Sequence, residues 1–232
     1  YVYLHFELST VHFFKRLKLY DTFYTMNITY YVNENDTALT NLNGVIGTLN
    51  ANDTHVLKHY MSEAKPNSLY VETGSYLGCS GILAGLVMKG ESLVYCHDIW
   101  VCNMNELAID GGIPPIVDDY FYQFYKNVRD NKLQHKVIPI RGDSKYTLGI
   151  HEDKSIDLAF IDGDHSYEGA LNDLQTIYPK MKPNGVILCH DCRPNSHVLK
   201  AITKFGNNKG ILNIEGFTGS SIVSINLKQD LE

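Results

Sequence analysis

Val71-Glu72-Thr73-Gly74-Ser75-Tyr76-Leu77-Gly78-Cys79-Ser80 is the stretch on which the fold turns. The run Ser68-Leu69-Tyr70-Val71 leads into it and reads as a short strand, while Ser80 to Met88, small and aliphatic, reads as a helix. Between them, glycine permits a tight turn and a close approach of backbone to ligand. The helix start adds N–H groups with no partner inside the helix. A dinucleotide site wants such donors facing a pyrophosphate. Here Glu72 sets a carboxylate beside the turn, which suits a cationic, amine-bearing ligand better. Alone, the motif is equally a plain strand-to-helix connection, because a single glycine pattern is weak evidence.

Outward from this turn the chain alternates. Strand-like runs follow at Ser92–Cys96, Lys136–Ile140, Ile156–Ile161 and Gly185–Cys189, with later candidates at 211–214 and 221–227. Helical spacing appears over Tyr120–Arg129, Glu168–Tyr178 and His197–Lys204. Strands alternating with helices predict an α/β, Rossmann-like, doubly wound fold with a mostly parallel sheet covered on both faces. In such sheets ligands sit beyond the carboxyl ends of the strands, so residues just after each strand carry the functional information.

Those positions are acidic. The second strand ends in Cys96-His97-Asp98, and Asp98 stands 26 positions after Glu72, near the offset of a ribose-binding acid. After the third, Arg141-Gly142-Asp143-Ser144 offers Asp143 as a helix cap, as an acceptor for an adenine amino group, or as both. The fourth ends in Ile161-Asp162-Gly163-Asp164-His165 and the fifth in Cys189-His190-Asp191-Cys192. Asp162 and Asp191 therefore emerge at neighbouring tips, where like charges need a cation or a proton between them. A divalent cation such as Mg²⁺ fits oxygen ligands, and His165 beside the pair suits a general base. Helix capping or bound water is the plainer account of these acids. Cys189 and Cys192 form a single Cys-x-x-Cys pair, too few ligands for zinc.

The 232-residue chain has 44% hydrophobic and 20% charged residues, which excludes chain-wide disorder. Its formal charge of -6 argues against nucleic acid, which demands clustered Lys and Arg; the run Lys15-Arg16-Leu17-Lys18 reads as a solvated helix face. No apolar run reaches membrane-spanning length. Five cysteines without a disulfide framework imply reduced thiols and a cytoplasmic location. Residues 1–50 differ in texture, rich in Tyr, Phe, Thr and Asn. They read as an N-terminal extension before a domain spanning 51–232, serving as an acceptor lid, the arm of a homodimer or a linker. Within it, the segment to Tyr20 fits helix or strand equally, and Asn33–Asn43 reads as a polar loop. A chain opening on Tyr1 also reads as part of a longer multidomain polypeptide.

The motif at Val71–Ser80 resembles the cofactor motif of class I S-adenosylmethionine-dependent methyltransferases. Phe124–Val128, Val137–Ser144, Ile161–Gly169 and Lys182–Ile187 are similar to one subgroup, the small-molecule and sugar O-methyltransferases. The likeness runs from about Asn43 to Asp191, with the motifs in order. It implies a seven-stranded sheet whose last strand is antiparallel. It assigns Glu72, Gly74, Ser75, Gly78 and Ser80 to the methionine end of S-adenosylmethionine, Asp98 to the ribose, and Asp143 with Ser144 to the adenine. Metal-dependent relatives place ligands where Asp162 and Asp191 stand, with Asn or Asp next in the chain. Here that place is Cys192, a poor Mg²⁺ ligand, which moves the third ligand to Asp164 or water. His165 falls at the position of the catalytic base. The expected chemistry is methyl transfer to a hydroxyl of a small-molecule or glycan acceptor, with Trp100, Tyr76 and Tyr167 lining its pocket or simply packing in the core. Two competing functions are a nicotinamide-dependent oxidoreductase, for which Gly74-Ser75-Tyr76 lacks a second glycine, and a non-catalytic nucleotide-binding module.

Overall fold

The computed structural model describes residues 15–20, 27–32, 38–101, 119–211 and 213–227. Seven strands form the main sheet: β5 (Leu69–Thr73), β6 (Leu93–Asp98), β7 (Val137–Arg141), β8 (Ile156–Ile161), β9 (Met181–Cys189), β10 (Ile214–Gly216) and β11 (Val223–Asn226). Their order is β10-β11-β9-β8-β5-β6-β7. β6, β7, β8 and β9 pair in parallel around β5, whereas β11 is antiparallel to both β9 and β10. The mostly parallel, seven-stranded sheet with a reversed last strand is thus as expected.

Six α-helices accompany the sheet among the described residues: α1 (Ala51–Glu63), α2 (Cys79–Val87), α3 (Tyr120–Asp130), the short α4 (Ser144–Thr147), α5 (Tyr167–Ile177) and α6 (His197–Lys209). Period-two alternation splits the core into two layers. Tyr70, Leu158, Phe160 and Leu188 face one side with Leu57, Met61, Ile82 and Phe124 of α1 to α3. Val71, Ala159, Ile161 and Ile187 face the other with Leu174, Ile202 and Phe205 of α5 and α6. Strands covered on both faces must be apolar throughout, which is why their sequences are short unbroken hydrophobic runs. Caps set the helix starts: Ser166 accepts from Gly169 N, Ser196 from Leu199 N, and Asn50 with Asp53 forms a reciprocal capping box.

A second, four-stranded antiparallel sheet precedes this domain, with β1 (Lys15–Tyr20), β2 (Asn27–Val32), β3 (Ala38–Leu42) and β4 (Val45–Gly47) in chain order. Two expectations change here. The basic run at Lys15–Lys18 lies on a strand, not a helix. The polar stretch expected as a loop contains β3, because Asn43 (φ 51°) and Gly44 (φ 89°) make a two-residue hairpin that pairs Leu42 with Val45. Leu42, Val45 and Leu49 are buried in the same layer as α1 and α2, so this segment shares core with the domain that follows.

β5 is where the winding reverses. From it the chain steps outward through β6 and β7, then returns to build β8 and β9 on its other side. The carboxyl ends of β5 and β8 therefore flank the crevice of the sheet. β5 runs two residues beyond the sequence expectation, to Thr73, which makes Glu72 a buried strand residue rather than a turn residue.

Candidate active site

Gly74 sits at the crevice with φ 81°, and an added Cβ there would overlap the Asp162 carbonyl. Only glycine fits, because the backbones of the β5 and β8 tips touch, with Asp162 N donating to Thr73 O (3.0 Å), while on the other side Gly74 N donates to His97 O of β6 (2.9 Å). Gly78 (φ 90°) ends the turn at the start of α2, with the Phe124 ring behind it. Asn127 of α3 clamps the same loop through Nδ2 to Leu77 O (2.9 Å).

Glu72 is fully buried. Tyr70 Oη donates to its Oε2 (2.8 Å). Among the described residues, its Oε1 and the buried Ser75 Oγ have no hydrogen-bond partner. Burial raises the Glu72 carboxyl above its ordinary value. Unmet acceptors in the interior are costly, and an ammonium group arriving at the turn would satisfy them. The buried Ser80 adjoins them in the first turn of α2.

Asp98 ties the neighbouring strand end to this turn. Its Oδ2 accepts from Tyr76 N (2.7 Å) and its Oδ1 from Trp100 N (2.5 Å). Burial raises its carboxyl, against the pull of these bonds. Each oxygen retains a lone pair for a hydroxyl donor. Trp100 is buried against Phe121 and Phe124 and donates Nε1 to Tyr76 O (2.7 Å), so it packs in the core. Asp143 is exposed and caps α4 by accepting from Lys145 N (2.9 Å), while Ser144 Oγ is turned to Asp173 Oδ1 (2.7 Å). Tyr76 (φ 47°), Trp100 (φ 47°) and Asp191 (φ 53°) all adopt left-handed backbone just past strand ends. Such strain persists only where surrounding contacts impose it, and it clusters at functional sites.

Asp162 and Asp191 do converge, and two imidazoles meet them. His165 Nε2 lies 3.6 Å from Asp162 Oδ1 and 3.4 Å from Asp191 Oδ2. Asp162, His165 and Asp191 are arranged so that a metal could be held, with donor atoms all within 4.8 Å of one another. Its contact with Asp162, then the charge of Asp191, raises the His165 imidazole to about 9 against the opposing effect of burial. At neutral pH His165 therefore holds a proton here, and base action requires the acids' charge to be balanced from elsewhere.

Sequence reasoning gave no role to two residues of this cluster. His190 is buried, with Nδ1 2.8 Å from Asp162 Oδ1 and 3.4 Å from Asp191 Oδ2, and Nε2 3.2 Å from Asp53 Oδ2. Asp53, buried in α1, also accepts from Ser220 Oγ (2.6 Å) and Ser221 N (2.8 Å). Burial, the largest influence on His190, opposes its charge; Asp162, Asp191 and Asp53 outweigh it and raise the imidazole well above its ordinary value. The same contacts hold Asp191 and Asp53 below the usual carboxylate range, although burial works against them. The only visible signal was the capping box at Asn50 and Asp53, which marks a helix start and says nothing of His190.

Cys189 points into the core and Cys192 donates Sγ to the carbonyls of Cys189 (3.2 Å) and His190 (3.4 Å). Burial pushes the Cys192 thiol up to about 12, so neither is poised for zinc. Cys79, Cys96, Cys189 and Cys192 are free; Cys102 lies outside the described residues. Among the described residues no helix is long and apolar enough to cross a membrane. A groove at the opposite, amino-terminal ends of β5 and β6 is lined by Leu69, Glu91, Leu93, His151, Glu152 and Lys182 among others, and His151 there is turned to His97 (2.9 Å).

A family model described as a methyltransferase domain matches residues 71–192. Comparison with curated proteins finds no match. Among solved structures, the O-methyltransferase NovP aligns with TM-score 0.63 at 17% identity, over 76% of this chain and 79% of that one. An O-methyltransferase from Bacillus cereus in complex with SAH aligns with TM-score 0.55 at 12% identity, over 77% and 82%. An SAH-bound methyltransferase from Podospora anserina aligns with TM-score 0.55 at 16% identity, over 76% and 78%. At these identities the likeness is one of fold.

Proposed function

The chain belongs to the methyltransferase-domain family, and on that premise we propose that this S-adenosylmethionine-dependent methyltransferase delivers its methyl to a hydroxyl oxygen of a small molecule or sugar. The nicotinamide alternative falls with the family match. The observation that carries the O-methyl reading is the set Asp162, His165 and Asp191 beside the Gly74 turn. A neutral hydroxyl is a weak nucleophile until its proton leaves. Carboxylates and an imidazole at the mouth of the crevice are the groups that orient a hydroxyl and receive that proton.

Bound S-adenosylmethionine supplies an electrophilic methyl on a sulfonium, and the protein supplies alignment. Glu72 Oε1 and Ser75 Oγ would accept from the cofactor's amino group. Asp98 would accept from the ribose hydroxyls while its bonds from the backbone keep Tyr76 and Trp100 in place. Asp143, exposed at the start of α4, would hold the adenine. Asp162 and Asp191 would hold a divalent cation, which lowers the pKa of a hydroxyl at such a site.

Calorimetric titration of S-adenosylmethionine into wild type and Asp98→Ala tests the cofactor site, with binding expected by the first and at least a tenfold loss in the second. Transfer from radiolabelled donor to a panel of hydroxylated acceptors tests the reaction. Binding without turnover on any acceptor would favour a non-catalytic module. Full activity in EDTA and in His165→Ala would remove the metal-and-base account.

A further inference from the structure

Three places were open for a third ligand beside Asp162 and Asp191, and the structure closes two of them. Cys192 Sγ is turned to backbone carbonyls, and Asp164 Oδ1 accepts from Ser166 N (2.8 Å) in the start of α5. Two side chains reach both acids, His165 from the open side and His190 from the buried side, and His190 is the nearer to Asp162. We propose that His190 Nδ1 completes a divalent-metal site with Asp162 and Asp191, that Asp53 holds the ring from behind, and that this donor set takes a borderline transition metal in preference to Mg²⁺. The proposal rests on reading the strand-tip acids as a metal site of the methyltransferase.

The spacing fits. Ligands bonded at about 2.1 Å stand about 3.0 Å apart at adjacent octahedral corners and about 3.4 Å apart in a tetrahedron. His190 Nδ1 is 2.8 Å from Asp162 Oδ1 and 3.4 Å from Asp191 Oδ2. The surroundings fit as well. Metal-bound histidines typically pass their second ring N–H to a carboxylate, which fixes tautomer and ring orientation. Asp53, 2% exposed, receives His190 Nε2 and is itself held by Ser220 and Ser221. A histidine needed only to fill the core would not require a carboxylate on each nitrogen. His165, 38% exposed on the open side, is left for the acceptor's proton.

The chemistry of the donors sets the metal. Mg²⁺ demands near-ideal octahedral oxygen ligation and keeps its waters. A buried imidazole favours softer ions such as Fe²⁺, Co²⁺ or Zn²⁺.

The test is metal binding, read apart from activity. Chelator-treated protein is titrated with Mg²⁺, Co²⁺ and Zn²⁺ by calorimetry, and Co²⁺ is followed by its visible absorption. Wild type should bind one Co²⁺ or Zn²⁺ at least 100-fold more tightly than Mg²⁺. Asp53→Asn should weaken Co²⁺ by 10- to 100-fold. His190→Asn places an amide oxygen near the Nδ1 position and should shift the Co²⁺/Mg²⁺ preference toward Mg²⁺ by at least tenfold. S-adenosylmethionine affinity serves as the check that each variant is folded. Wild type that binds no divalent ion, or binds Mg²⁺ as tightly as Co²⁺, overturns the proposal without any variant; so does a folded His190→Asn with unchanged preference. Selective metal binding without methyl transfer would support this site while removing the proposed reaction.

Discussion

Gly74→Ala tests whether the crevice depends on contact between two backbones. The new methyl would overlap the Asp162 carbonyl and lie 2.8 Å from Gly163 Cα, both backbone atoms that cannot rotate aside. Ordinary contact begins at 3.4 Å, so Gly163 Cα must retreat by about 0.6 Å and the overlapping Asp162 carbonyl by more than that. The left-handed φ of 81° adds its own penalty for any residue with a Cβ, roughly 1–2 kcal/mol. Forcing backbone apart in a packed site costs about 1–3 kcal/mol more. Gly210→Ala isolates the first penalty, since Gly210 has φ 67° and nothing within 4 Å of an added Cβ. Urea unfolding should therefore show Gly74→Ala less stable than wild type by about 2–5 kcal/mol, against roughly 1–2 kcal/mol for Gly210→Ala. Because Asp162 rides on the displaced tip, calorimetry should also show S-adenosylmethionine affinity at least tenfold weaker in Gly74→Ala and unchanged in Gly210→Ala. Equal stability losses in the two variants, with full cofactor affinity in both, would refute the reasoning that the β5 and β8 tips are in obligatory contact.

Three further outcomes follow from the same geometry. Tyr70→Phe removes the hydrogen bond to the buried Glu72 Oε2 and should cost about 1–3 kcal/mol in urea unfolding. Glu72 has a raised folded pKa, so the folded state binds its proton more tightly than the unfolded chain, and stability falls as pH rises above the ordinary value of 4.5; Glu72→Gln should lessen that fall in unfolding midpoints measured across pH. His97 and His151 face each other through Nε2 at 2.9 Å, and burial lowers them to about 3 and about 4 from an ordinary 6.5. The unfolded chain then takes up protons the folded one refuses, so stability is complete above pH 6.5 and is lost as pH falls toward 4; His97→Asn should show a shallower loss over that window.

Much of the fold was legible because the main sheet is local in its logic. Unbroken apolar runs such as Ile156–Ile161 and Gly185–Cys189 are what a strand buried on both faces requires, and amphipathic runs between them are what covers it. Strand-end acids were legible for the same reason, since the sheet's polarity alone sends Asp98, Asp162 and Asp191 to one edge. The amino-terminal sheet was not. Its strands mix polar and apolar residues without an unbroken apolar run, and pairing, not composition, makes β3 a strand; the Asn43-Gly44 turn was its one local mark.

The glycine turn at Gly74 to Gly78, the α/β architecture and the acidic strand ends were determined by the sequence itself, because each depends on neighbours within a few residues or on a period along the chain. What only the tertiary structure decided is how those acids are held. His190 and Asp53 lie 137 positions apart, and no spacing rule relates a helix cap to the end of β9. Packing α1 beside the sheet brings them together. Once both are out of water, a buried charge must find opposite charge, and that requirement builds the Asp53–His190–Asp162 chain behind the site.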